Sequence, residues 1–280
     1  MKGFTKKIGA LVLSLTLVIG MATSASAATW DSYFGQNAGW YEGALGSMSA
    51  ASATGFTAKM DQIGWGGVWG AQVFQKISVT KGKAYALSFD VKSTQCNKFI
   101  YVKLSTGEKL AKAFWVKLAK GKTTKVNIAF KAANAANQIT FGVGGDFGDR
   151  IGSEVDAQTR YNIFKKQFKK SWTILNTQEA YGDSAQATSV IVSKYSLKAA
   201  PKKVSFSAKA KGGKKVKVSI KKAAGIKTYE VQVGAAKKKT TGTSVTVKAK
   251  KTGKLPVKVR GISEDKSYKT GWATKKVKVK

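Results

Sequence analysis

Short runs of apolar residues punctuate the chain from Val73 onward: VFQKISV, AYALSFDV, KFIYVKL, TKVNIAF, NQITFGV and SVIVSKYSL. Several alternate apolar and polar positions with a period of two. They are rich in Val, Ile, Phe and Tyr and are separated by turn signals such as TKGKA and STGEK. That combination predicts half-buried antiparallel strands. A second series follows: KVSFSAKA, KKVKVSIKKA, KTYEVQVGA, SVTVKAK, LPVKVRGIS and ATKKVKVK, in which Lys and Val alternate strictly in places. The predicted fold class is all-β, and the pattern of the first series points to a two-sheet sandwich. The Gly- and Ala-rich opening, residues 33–55, predicts a strand with wide loops. One segment departs from the pattern. In RYNIFKKQFKKSWTIL, Tyr161, Phe164, Phe168, Trp172 and Leu175 recur at helical spacing with Lys165, Lys166, Lys169 and Lys170 between them. The spacing predicts an amphipathic basic helix near 160–175. It is read as a cover for one end of the sandwich, with membrane-surface or partner binding as the alternative.

Charge divides the chain in the same place as the two strand series. Residues 28–199 carry 22 Lys/Arg against 11 Asp/Glu, whereas residues 200–280 carry 25 against 3. A boundary at Ala199 to Pro201, in LKAAPKK, follows from that shift and from the proline. The expected organisation is a leader at 1–27, a first domain at 28–199 and a lysine-rich domain at 200–280. The leader is a secretory signal peptide by pattern: Lys2, Lys6 and Lys7, an apolar run from Ile8 to Ile19, and the exit Ala25-Ser26-Ala27. Its apolar core is shorter than the roughly 20 residues of a membrane span, and no later stretch is long enough. The mature protein is therefore expected to be secreted. The single cysteine, Cys96, permits no intramolecular disulfide and is read as a free, buried thiol. Lysines on outward and edge positions also keep sheets from pairing edge to edge, so part of the charge has a structural reason.

The block WGAQVFQKISVTKGKAYALSFDVKS, with IYVKL, TTKVNIAFKA, NQITFGVGG and the closing TSVIVSKYSL, resembles carbohydrate-binding modules of the family 4/9/22 type. The resemblance covers most of residues 30–197. It implies a galactose-binding-like jelly roll that holds a soluble or amorphous polysaccharide, β-glucan or xylan-like, in a cleft beside a glycoside hydrolase. Residues 201–280 resemble a bacterial fibronectin type III module, through PKKVSFSAKAKGGKKVKVSIKK, YEVQV, VKVRGIS and GWATKKVKV. They depart from that family at Ile220, where an early core tryptophan usually stands, and at Pro256, near the usual corner tyrosine. Such modules serve as spacers, and Trp272 is read as part of the module's core.

A sugar ring presents a weakly apolar C–H face and a rim of hydroxyls, so its site needs aromatic platforms together with amides. Trp and Tyr supply platforms. Gln supplies a donor and an acceptor without a charge to desolvate. The resemblance places Gln75 and Gln138 at cleft amide positions, with Gln72 in the same motif. Either glutamine at 75 or 138 also fits a buried side chain satisfied by backbone. Tyr101 and Lys103 share one face of FIYVKL, opposite Ile100, Val102 and Leu104, and are read as facing the cleft. Trp65 and Trp69, flanked by Gly66, Gly67 and Gly70, are candidate platforms in a loop. Trp40 is a further candidate, weighed against loop packing, and Trp115 is read as core. Gly142 stands where some relatives carry a polar side chain, which leaves the chain specificity open. Relatives often hold a structural calcium, for which Asp31 and Glu42 are candidates here. The last strand offers Ser193 and Lys194 where relatives commonly have Asp-Asn.

The absence of histidine removes Ser-His-Asp and Cys-His catalysis and the common zinc sites. A glycosidase needs two carboxylates flanking the scissile bond, and no Glu-x-Asp-x-Glu pattern occurs. The chain is expected to be a binding protein, not an enzyme. Three functions are carried forward: a non-catalytic polysaccharide binder, a basic adhesin retained on anionic wall polymers through the C-terminal domain, and a glycan hydrolase with an unrecognised carboxylate pair. Specific nucleic-acid binding is not expected, because the lysines are not interleaved with stacking aromatics.

Overall fold

The computed structural model describes residues 29–34, 44–63, 70–96, 98–144 and 188–280. The expected leader, the helix expected near 160–175, and Trp40, Glu42, Trp65 and Trp69 lie outside the described residues.

Among the described residues ten strands form the first sandwich: β1 (Trp30–Phe34), β2 (Ala44–Ser52), β3 (Gly55–Ile63), β4 (Ala71–Val79), β5 (Ala84–Ser93), β6 (Lys98–Thr106), β7 (Lys109–Leu118), β8 (Thr123–Lys131), β9 (Ala136–Gly142) and β10 (Thr188–Ala199). They pair antiparallel in two five-stranded sheets, of order β1-β4-β9-β6-β7 and β2-β3-β10-β5-β8. The chain crosses between sheets repeatedly, the connectivity of a jelly roll. Every second residue of each strand points between the sheets. Trp30, Val73, Ile100, Val102, Ile139 and Phe141 from one sheet meet Phe56, Met60, Leu87, Phe89, Val190 and Val192 from the other in one core. Its centre is aromatic: Trp30 lies 4.9 Å from Phe56, 5.1 Å from Tyr195 and 5.7 Å from Phe141, ring centre to ring centre. Cys96 is buried and unbridged.

The second sandwich contains β11 (Phe206–Lys211), β12 (Lys215–Ile220), β13 (Ile226–Val233), β14 (Ala236–Thr240), β15 (Ser244–Lys248), β16 (Gly253–Ser263) and β17 (Ala273–Val279). These make a three-stranded sheet, β11-β12-β15, and a four-stranded sheet, β14-β13-β16-β17. The Lys/Val alternation is literal here: in β12, Val216, Val218 and Ile220 are buried while Lys215, Lys217 and Ser219 are exposed. The molecule is all-β, and among the described residues there is no α-helix.

The two sandwiches touch along the outer side of the second sheet of the first. Ala86 and Ala129, which face away from their own core, are buried with Ala200 among the apolar residues of the second sandwich. Gly225 donates its N–H to Asn127 Oδ1 at 2.7 Å and accepts from the Ala129 N–H at 3.1 Å. The connection is short and held: Ala199 still pairs with Tyr85, the Ala200 N–H donates to the Ala84 carbonyl, and Tyr268 Oη donates to the Pro201 carbonyl at 2.8 Å. Lys112 Nζ donates to Asp265 Oδ2 at 2.5 Å across the junction. Partial burial works against the Asp265 charge, but Lys112, Ser263 and Ser267 overcome it and hold the carboxyl at about 2.

Candidate functional site

The sheet β1-β4-β9-β6-β7 has an outer face whose side chains are set by strand register. Tyr33 stands opposite Gln72, Gln72 opposite Gly142, Gly142 opposite Tyr101, and Tyr101 opposite Trp115. This row crosses all five strands, about 19 Å at about 4.8 Å per step. Tyr33, Gln72, Tyr101 and Trp115 are each half-buried. The Tyr101 and Trp115 rings are tilted at 56° with centroids 4.9 Å apart. Between Gln72 and Tyr101 the central position of the row is Gly142, which carries no side chain and is itself buried. Burial pushes the Tyr101 phenol above its ordinary range, which keeps it a neutral hydroxyl that donates and accepts.

A second row lies two residues along: Asp31 opposite Phe74, then Thr140, Lys103 and Ala113. A third brings Lys76, Gln138 and Ser105 together. Gln138 Nε2 donates to Thr140 Oγ1 at 2.9 Å, so this amide is oriented along the face by its own strand. Gln72, Gln138, Tyr101 and Lys103 thus share one surface, as the strand period requires.

Gln75 does not join them. Three residues from Gln72, it falls on the opposite side of a strand whose side chains alternate. It is 3% exposed and in phase with Val73 and Val79, opposite Trp30 on one side and Ile139 on the other. Its Nε2 has no hydrogen-bond partner among the described residues. The expectation that Gln75 contacts a cleft ligand is therefore corrected: the amide is enclosed by the core and is not satisfied by backbone at that nitrogen. A buried donor left unpaired costs about 1 to 3 kcal/mol. Gln75→Leu, close in shape, is expected to raise stability by about 1 kcal/mol in urea unfolding and to leave ligand affinity unchanged.

Two tryptophans also differ from expectation. Trp115 does not enter the core; its neighbours Phe114 and Val116 pack inward, and Trp115 closes the outer row. Trp272 is only partly buried and lies outside the second core, where the Arg260 guanidinium stacks over its ring at 4.6 Å. Beside it, burial disfavours the Glu230 charge, yet Arg260 at 2.5 Å and Lys239 at 3.4 Å hold that carboxyl below its usual range. Tyr33 was not singled out from sequence. The signal was present in WDSYF, where Trp30 and Phe34 take the inward phase and leave Tyr33 facing out.

Trp115 also borders a groove of about 1120 Å³ between β7, β8 and the second sandwich, with Phe114, Val126 and Ile128 in its wall and Lys117, Lys125 and Lys222 among its polar lining. Burial lowers the Lys117 ammonium below its ordinary range. Asp31 is exposed on β1. Among the described residues no group of three His, Cys, Asp or Glu side chains is placed to hold a metal. No described helix is long and apolar enough to cross a membrane.

No protein-family profile matches the chain, and no curated protein matches it in sequence. Comparison with solved structures finds weak similarities. A structure described as "CBM4 structure and function" is 17% identical, with TM-score 0.40, and the match covers 61% of this chain and 86% of that one. The N-terminal cellulose-binding domain of Cellulomonas fimi β-1,4-glucanase C is 12% identical, with TM-score 0.36, covering 61% and 88%. The adhesin domain of Epf from Streptococcus pyogenes is 9% identical, with TM-score 0.27, covering 91% and 92%. At TM-scores of 0.40 and below, these similarities assign no ligand to this chain.

Proposed function

We propose that the chain is a secreted, non-catalytic polysaccharide-binding protein whose first sandwich holds a neutral β-glucan or xylan-like chain across the outer face of the sheet β1-β4-β9-β6-β7. The observation that carries this reading is the row Tyr33, Gln72, Gly142, Tyr101, Trp115. It supplies aromatic surface at both ends and an amide and a neutral phenol between them. Gln138 and Lys103 add donors on the same surface. Because the polar groups of the row itself are uncharged, sugar hydroxyls replace water there without the desolvation of an ion. The second sandwich is a fibronectin type III-like spacer in this reading. Its three-plus-four strand arrangement supports that assignment.

The test is calorimetry of the full chain against barley β-glucan, xylan, xyloglucan and mannan at low and high salt. One of the four is expected to bind with an affinity that salt leaves unchanged, since neither stacking nor neutral hydrogen bonds are screened. Trp115→Ala and Tyr101→Ala are each expected to weaken it about tenfold or more, at least about 1.4 kcal/mol. Absence of binding to all four, or full affinity in both variants, would sink the reading.

A further inference from the structure

The exposed face of the three-stranded sheet β11-β12-β15 is built from rows of like residues. Lys211 stands directly opposite Lys215, and Lys215 opposite Lys248. Lys209 stands opposite Lys217, which is opposite Thr246. Ser207, Ser219 and Ser244 form the third row. All nine side chains are on exposed residues. None of the five lysines has a carboxylate within ion-pair distance among the described residues. Neighbouring strands are about 4.8 Å apart and residues i and i+2 about 6.7 Å apart, so five ammonium groups crowd one small patch. Like charges placed directly opposite one another destabilise a sheet. Blocking edge pairing explains lysine on an edge strand, but β12 is the central strand of this sheet and carries two of the five. On the outer face of the neighbouring sheet Glu230 pairs with both Arg260 and Lys239, although Lys254 stands opposite Lys278 there.

We propose that this face binds an acidic polysaccharide, its carboxylates held by the two lysine rows and its hydroxyls by the serine row. Bound carboxylates convert the repulsion between facing lysines into attraction on both sides of each charge. Lysine acts here as a point charge, suited to single carboxylates spaced along a chain. The face offers no aromatic platform for stacking bases, which disfavours single-stranded nucleic acid. The hydroxyl row favours a ligand that itself carries hydroxyls over a bare chain of phosphates. This site lies on a different sandwich from the neutral-glycan face and does not depend on it.

The experiment compares the full chain with the variant Lys215→Gln/Lys217→Gln/Lys248→Gln and a control of equal charge, Lys81→Gln/Lys83→Gln/Lys131→Gln, on polygalacturonate and on inorganic polyphosphate across a salt series. The face variant is expected to bind polygalacturonate more than tenfold more weakly at low salt. Its slope of log affinity against log salt is expected to fall by about 2, taking about 0.7 per neutralised charge. Its melting temperature at low salt is expected to rise, which separates lost binding from lost folding. The control is expected to bind nearly as the parent does. An equal loss in the control, an unchanged face variant, or tighter binding of polyphosphate than of polygalacturonate would each overturn the proposal.

Discussion

Phe141→Ala is expected to lower the stability of the first sandwich by about 3 to 5 kcal/mol, the cost of removing a fully buried phenyl ring and leaving part of its volume empty. Phe141 has no exposed surface and sits on β9, the middle strand of its sheet. Its ring meets Trp30, Phe56 and Phe89 with centroids at 5.7, 5.4 and 5.2 Å, in edge-on arrangements at 69°, 74° and 76°. Three aromatic partners from both sheets thus lose a contact at once, and edge-to-face pairs contribute about 0.5 to 1.5 kcal/mol each beyond area burial. For a domain of this size the melting temperature should drop by on the order of 10 °C. Thermal unfolding followed by near-ultraviolet circular dichroism reads the result, because this cluster contributes to the aromatic signal. Phe114→Ala, at a partly buried position packed against the same core, is the comparison and should cost less. Equal losses at the two positions would mean that the aromatic centre is not what joins the sheets.

Local alternation made the strands legible, and it also contained an answer that residue type obscured. Within VFQKISV, Gln75 keeps step with Val73, Ile77 and Val79, which places it inward. Grouping it with Gln72 as a second amide ignored that three residues separate opposite faces of a strand. Phe114 and Trp115 posed a different problem, since two adjacent aromatics in a strand must part and nothing local says which one takes the core. Here the partner decides: Tyr101 receives Trp115 on the outer face. The full row is less legible still. Tyr33, Gln72, Gly142, Tyr101 and Trp115 run from position 33 to position 142, and they align only because the sheet order is β1-β4-β9-β6-β7. That order is a product of long-range pairing, which no window of sequence contains. Trp272 failed as a core residue for a related reason: the second core already holds Phe206 and Tyr229, and Arg260 offered the indole a cation on the surface.

The contact between the sandwiches is equally non-local, and a pair of glycines isolates it. Gly213 and Gly225 adopt the same left-handed backbone, φ +63 and +70. Their surroundings differ. A Cβ at Gly213 would meet nothing within 4 Å, whereas one at Gly225 would lie 2.2 Å from the Ala129 backbone nitrogen and 2.4 Å from the Ile128 carbonyl carbon. Gly213→Ala therefore carries only the conformational cost of a left-handed L-residue, about 1 to 2 kcal/mol. Gly225→Ala carries that cost plus a clash with backbone that cannot turn aside, and about 3 kcal/mol or more is expected. The clash can be relieved only by drawing the second sandwich away from β8, which breaks both hydrogen bonds of Gly225 and exposes Ala86 and Ala129. Each sandwich retains its own sheets and most of its own core, so separation rather than unfolding is the expected outcome. Small-angle scattering should show a larger radius of gyration for Gly225→Ala, and limited proteolysis should cut near Pro201, with the Gly213→Ala variant unchanged in both. If the two substitutions behave alike, the junction is not seated on Gly225, and the Lys112–Asp265 pair and the short connection alone hold the sandwiches together.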